Sequence, residues 1–307
     1  MTSPRSRGGR ILGVPLRGPE PKDEPCGLSM GHIADRTAAS AVGCSYRYYD
    51  EIESTNVEAR RLASRDAPEG TVVIAEAQTA GRGRLGRRWT SPAGKGLLFS
   101  VLLRPALPMR DVHLLTLVAA CAVADAIESM IDTPIGIKWP NDLYVGDRKI
   151  AGILMEVAGE QDKVDWVVVG IGINVNTEYS QLPVALRRTA TSLKSANGEA
   201  VDRSELLARV LLQLDAHYAV ALADGFDAAV SGFRRRDYLM GRSISVEARG
   251  GSVLGTAAGI DERGALVVRL SQRQIRRFLS GDVTLRLSAS GTRWGRRPTI
   301  VTRQGER

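Results

Sequence analysis

The chain predicts an α+β fold: a mixed, mostly antiparallel central sheet with helices packed on it, followed by a small β-barrel. Three observations carry this. Val164–Val175 is a long run rich in β-branched residues and reads as a central buried strand. Leu143–Val145 and Ile150–Val157 flank Gly146-Asp147-Arg148-Lys149, a hairpin signal. Past Gly241 the texture changes to five short alternating runs within about 45 residues.

In order along the chain, residues 1–44 are rich in Gly, Pro, Arg and Ser and read as a disordered extension, with a later start such as Met30 open. Residues 45–240 read as the main domain. Tyr46–Ile52 is a strand, and Ser54-Thr55-Asn56 is a helix N-cap with Glu58 placed for a capping box around Thr55. Thr71–Glu76 and Leu97–Leu103 are strands. Asp111 is expected to cap a helix from Val112 to about Ile131, with apolar residues at Leu114, Leu115, Val118, Ala119 and Ala122. Ile135–Trp139 is a strand stopped by Pro140. Residues 177–200 form a polar connection, Ser204 is expected to cap a helix to about Ala223, and a further helix runs from Asp227 to Tyr238. The five barrel strands are Ser243–Val246, Val253–Ala258, Ala265–Leu270, Gln274–Leu279 and Val283–Leu287, which makes 241–288 a second domain and 289–307 a basic disordered tail.

Composition bounds the function. The 307 residues are 43% hydrophobic, enough for one large domain and a small one or for two of medium size. Three quarters of the +8 net charge lies in residues 1–30 and 291–307, so the excess is in the ends and not on a folded face. Cys26, Cys44 and Cys121 are odd in number and widely spaced, giving neither a disulfide framework nor a zinc pattern. Leu114–Ala124 is too short to cross a bilayer, and the amino terminus does not read as a signal peptide. A reducing cytoplasm is expected.

The stretch Gly81-Arg82-Gly83-Arg84-Leu85-Gly86-Arg87-Arg88-Trp89 is the most informative. If it is extended, Arg82 and Arg84 point one way, and Gly81 and Gly83 leave the other side open to a close approach. Guanidinium forks with backbone N–H groups suit carboxylate and phosphate oxygens. The competing reading is a disordered RNA-binding segment, but a single copy running into apolar sequence favours an ordered anion-binding loop. Lys138-Trp139-Pro140-Asn141-Asp142 ends a strand with groups that neutralise phosphate, bond a base or ribose, or hold Mg²⁺. Alone it reads slightly better as a plain strand-ending turn. Lys149, at a hairpin turn, reads alone as solvated. Gly170-Ile171-Gly172-Ile173-Asn174 lacks the third glycine of a dinucleotide fingerprint. His32, His113 and His217 are too scattered for a catalytic set.

Together, Ser54-Thr55-Asn56, Gln78, Gly81–Arg87, Lys138–Asp142, Lys149–Leu154 and Gly172–Val175, in that order, make the chain resemble the biotin–protein ligases over roughly residues 46–288. Gly255–Leu266 and Gly281–Leu287 resemble that family's carboxy-terminal barrel. The resemblance implies a core like that of class II aminoacyl-tRNA synthetases and a barrel like Src-homology-3 domains. It also implies a two-step reaction. Biotin and MgATP form biotinoyl-adenylate and pyrophosphate, and a lysine of a biotin carboxyl carrier domain then takes the acyl group. On this resemblance Ser54, Thr55, Asn56, Gln78, Gly81, Arg82, Gly83, Arg84, Lys149 and Gly152 surround biotin or its activated carboxyl. Arg82, Arg84, Arg87, Lys138, Asn141, Asp142, Asn174 and Arg286 face ATP or the adenylate. Arg84 and Lys149 stabilise charge in adenylation, and Asp142 is the candidate base. Mg²⁺ comes with ATP, and no dedicated metal site is assigned. Residues 1–44 lack the pattern of the DNA-binding domain that some members carry, so DNA binding is not expected, and neither end has a nameable counterpart. The oligomeric state, a homodimer included, is open. A lipoate ligase on a similar core and a nucleic-acid-binding regulator are the alternatives.

Overall fold

The computed structural model describes residues 10–12, 27–160, 162–248 and 251–285. Its main sheet contains β1 (Arg10–Leu12), β2 (Ser45–Ile52), β3 (Thr71–Gln78), β4 (Gly96–Leu103), β5 (Gly136–Lys138), β6 (Asp142–Val145), β7 (Arg148–Glu160) and β8 (Lys163–Asn174). The strand order is β1-β2-β3-β4-β8-β7-β6-β5. β2 and β3 are parallel, joined through helix α2 (Thr55–Ala63), and the other pairs are antiparallel.

Both sheet faces are covered, which is why β3 and β4 are buried at nearly every position. α2 packs on β3, β4 and β8, burying Ala59 and Ala63 against Val73, Leu102 and Val168. The opposite face, with Val72, Ile74, Phe99 and Val101, joins the main core with α3 (Leu115–Glu128), α5 (Arg203–Asp224) and α6 (Asp227–Arg235). α5 is long and apolar enough to cross a membrane by length and composition, and it packs Leu206, Leu207, Val210, Leu211 and Leu214 into this core.

The second sheet holds β9 (Ser243–Ala248), β10 (Gly251–Ile260), β11 (Leu266–Arg269), β12 (Ile275–Phe278) and β13 (Asp282–Leu285), all antiparallel, in the order β12-β11-β10-β9-β13. It buries Ile244, Val246, Leu266, Val268 and Phe278, and Trp139 Nε1 donates across to Gly264 O at 3.0 Å.

Several local expectations need correction. Within the segment expected to be disordered, α1 (Met30–Arg36) buries Ile33 completely, and Glu76 accepts from Leu28 N at 3.2 Å. Long-range contacts order this short helix, and they leave no periodic signature. No capping box forms at Thr55: the helix starts after Ser54, and Glu58 binds Arg61 and Tyr49 instead. Asp111 makes no cap bond. A 3₁₀ turn, Val112–Leu114, precedes α3. The cap of α5 is Asp202, whose carboxylate accepts from Ser204 N and Glu205 N at 2.8 and 3.1 Å. The polar connection contains a short helix, α4 (Leu193–Asn197).

Candidate active site

The first half of the site forms where the start of α2 meets the middle of β4 and β8. Ser54, Thr55 and Asn56 are nearly inaccessible, yet with Gln78, Arg82, Trp89, Ile171 and Gly172 they line a cavity of about 30 Å³. Gln78 Oε1 accepts from Thr55 N at 2.8 Å. Ser100, the lone hydroxyl in the apolar strand β4, donates to Asn56 Oδ1 at 2.7 Å and lies 2.8 Å from Thr55 Oγ1. Asn56 Nδ2 in turn donates to Glu156 at 2.8 Å and to Leu154 O at 3.2 Å. The glycines of β8 make this packing possible. A Cβ on Gly170 would lie 1.9 Å from Asn56 Oδ1, and one on Gly172 would lie 2.5 Å from the Trp89 indole. The Gly-Ile-Gly-Ile-Asn run is therefore a floor for side chains. The Trp89 indole N–H is buried and has no hydrogen-bond partner among the described residues.

The Gly/Arg loop is not extended. It folds back on itself: Arg82 bridges Arg88, Gly83 N donates to Arg87 O at 2.7 Å, and Trp89 N donates to Gly81 O at 3.0 Å. Arg84–Gly86 forms a 3₁₀ turn with Leu85 at φ 55° and 71% exposed. The arginines diverge accordingly. Arg82 lines the cavity, with its guanidinium 4.0 Å from Glu53. Arg84 reaches out of it to Asn141 Oδ1 and to Gly281 O, each at 3.2 Å, and Arg87 pairs with Asp282. The loop thus touches both the main sheet and the second one.

The second half of the site gathers around Asp142. Lys149 Nζ lies 2.6 Å from Asp142 Oδ1 and 5.4 Å from the centre of the Trp89 ring. Asn141 Nδ2 donates to Ile153 O at 2.7 Å, which turns its oxygen toward Arg84. Burial holds the Lys138 ammonium below its ordinary value, with Asp142 and Asp282 opposing. Burial likewise lowers the Arg84 guanidinium, against the same two carboxylates. Partly dehydrated cations of this kind are poised to accept an anion. Gly152 joins the halves: a Cβ there would stand 3.1 Å from both Lys149 Nζ and Trp89.

The structure therefore groups Ser54, Thr55, Asn56, Gln78 and Arg82 in one cavity, and Arg84, Lys138, Asn141, Asp142 and Lys149 beside it. Gly81 and Gly83 shape the loop between them. Arg87 faces the second sheet. Asn174 is buried and donates to Thr191 O at 3.1 Å, securing the connection after β8. Arg286 lies outside the described residues. Sequence reasoning passed over Trp89, Ser100, Glu156 and Asp282. A lone serine inside Leu97–Leu103 was a usable signal, but nothing local marks the others. His32 pairs with Glu205, His113 with Arg263 O and His217 with Asp125, so the histidines form no common site.

A polar cavity opening beside clustered cations defines an acid-activating ligase core, and known proteins give it a family. The model of the biotin/lipoate A/B protein ligase family matches residues 48–174, and that of the biotin protein ligase C terminal domain matches residues 239–286. The bifunctional ligase/repressor BirA of Bacillus spizizenii is 37% identical over 283 residues, covering 92% of this chain and 86% of the relative. That span is wider than 46–288 by more than the 19 residues that follow it, so the likeness extends into the amino-terminal segment, for which no counterpart was nameable from the sequence. The biotin–[acetyl-CoA-carboxylase] ligase of Mycobacterium tuberculosis is 34% identical over 242 residues, 76% of this chain and 87% of the relative. The biotin protein ligase of Aquifex aeolicus, solved in complex with biotin and ATP, superimposes with a TM-score of 0.69 at 32% identity, over 79% of this chain and 99% of that one. The chain belongs to the biotin protein ligase family.

Proposed function

We propose that this protein activates biotin with MgATP to biotinoyl-5'-AMP and transfers the biotinoyl group to a lysine of a biotin carboxyl carrier domain. The observation that carries the reading is the cavity headed by Ser54, Thr55, Asn56 and Gln78 and lying beside the Arg84, Lys138 and Lys149 cations. The neutral polar head suits the ureido ring of biotin, and the cations lie where its carboxylate would meet the nucleotide.

In the first step a biotin carboxylate oxygen attacks the α-phosphorus and pyrophosphate leaves. Two anions must approach, and Arg82, Arg84 and Lys149 offset their repulsion. Asp142 and Asn141 offer the hard oxygen ligands that suit a Mg²⁺ arriving with the phosphates, and among the described residues no three-residue acidic, His or Cys cluster forms a dedicated metal cage. The mixed anhydride then needs protection from water, which the 81–89 loop, held by Gly281 and Asp282, supplies. In the second step the acceptor amine attacks the acyl carbon and AMP leaves. About 0.04% of such an amine is unprotonated at pH 7, so a base is needed, and Asp142 is assigned that role. Arg87, Asn174 and Arg286 are assigned to the nucleotide side.

We place the enzyme in the cytoplasm, acting on a biotin-dependent carboxylase without binding DNA. The match to the biotin protein ligase C terminal domain favours biotin over lipoate. Biotin-dependent ATP–pyrophosphate exchange, followed by labelling of an apo carrier domain, tests the assignment. Exchange with lipoate in place of biotin, or none with either acid, would refute it.

A further inference from the structure

Glu156 lies on β7, outside the cavity, yet Asn56, Thr55 and Gln78 at the cavity's head are linked back to it. The Glu156 carboxylate and the Leu154 carbonyl are acceptors only, and both receive Asn56 Nδ2, at 2.8 and 3.2 Å. The Asn56 amide is therefore fixed, with Oδ1 turned to Ser100. An amide oxygen carries no proton, so the fully buried Ser100 hydroxyl commits its only one to Asn56 at 2.7 Å. Ser100 Oγ packs 2.8 Å from Thr55 Oγ1, and the Thr55 hydroxyl donates to Gln78 Oε1 at 3.2 Å. Gln78 Oε1 is held by Thr55 N, which leaves its amide N–H groups for the ligand.

We propose that Glu156 is a positioning residue: through Asn56 and Ser100 it sets which atoms at the head of the cavity donate and which accept, and so sets biotin affinity. This rests on the proposed function, since it takes biotin as the occupant. The other oxygen of Glu156 pairs with Arg60 at 3.3 Å, and that partner is not needed for the relay.

The test uses the full chain and the KM values for biotin and ATP in pyrophosphate exchange. Glu156→Leu, which offers no acceptor, should raise the biotin KM about tenfold or more, as expected for a misdirected buried hydrogen bond, with the ATP KM and kcat within about twofold. Glu156→Gln keeps an acceptor and should stay within about threefold of wild type in biotin KM, and Arg60→Ala should match wild type. Ser100→Ala breaks the relay at its centre and should raise the biotin KM as Glu156→Leu does. The double variant should lose no more than either alone. If Glu156→Leu misfolds, Ser100→Ala against Glu156→Gln decides the matter. A wild-type biotin KM in Glu156→Leu or Ser100→Ala, an equal loss in Glu156→Gln or Arg60→Ala, or a fully additive double variant overturns the inference while leaving the function intact. Absence of biotin-dependent exchange in the wild type overturns both.

Discussion

Lys149 Nζ and Asp142 Oδ1 stand 2.6 Å apart, joining the first residue of β6 to the second of β7 beside the Trp89 ring. The pair is partly dehydrated and sits at the junction of the two halves of the site. An anion entering there competes with Asp142 for the ammonium. Lys149→Ala should lower the rate of adenylate formation by about 10²–10³-fold, the usual effect of removing one aimed charge. Rapid-quench assay of biotinoyl-adenylate measures it.

Arg84 has a second duty, because its guanidinium also holds the loop to Gly281 O. Arg84→Ala should slow adenylate formation or let the adenylate escape to solvent. Single-turnover rates and adenylate release identical to wild type would remove Arg84 from the mechanism.

Gly172 lies directly under Trp89, and a Cβ at this position would come within 2.5 Å of the indole. The ring must move before any methyl fits. Gly172→Ala should weaken biotin binding by at least about tenfold while costing roughly 1–3 kcal/mol of stability, as overpacking does. Isothermal calorimetry with biotin and urea unfolding report the two effects separately.

Asp237 follows α6, and one carboxylate oxygen, Oδ2, is buried with no hydrogen-bond partner among the described residues. Burial pushes its carboxyl from 3.8 up to about 6, although Leu239 N donates to the other oxygen. The folded-state value is the raised one, so the native protein holds this proton more tightly than the unfolded chain does. The penalty is absent below pH 3.8, grows between 3.8 and 6, and is complete above. Asp237→Asn should therefore stabilise the protein at pH 8, by at most roughly 3 kcal/mol, with the gain gone by pH 4. Thermal melts of both proteins at the two pH values check the sign.

Much of the architecture is legible along the chain because burial writes a pattern there. β3, β4 and β8 are apolar on both faces, and the five strands of the second sheet alternate between turn residues. Helix α1 left no such mark. It has one fully buried residue, Ile33, and is ordered by Ser204, Glu205 and Glu76, from distant parts of the chain. Caps were legible to within a residue or two, but which side chain turned inward to cap was not. Competing partners such as Arg61 for Glu58 lie on the folded surface around them.

The sequence by itself determined the kinds of group present and their order: a hydroxyl-and-amide cluster, an arginine loop, and a Lys-Asn-Asp strand end with a further lysine beyond it. Those are properties of local composition and spacing. Only the tertiary structure decided which way each group points. It folded the arginine loop back so that Arg82 and Arg84 part company. It laid Trp89 on Gly172, linked Glu156 to Thr55 through Asn56 and Ser100, and brought Gly281 and Asp282 across almost two hundred residues to the loop. Such contacts are set by sheet order and register, which place strands distant in the chain side by side, and no local period in the sequence encodes them.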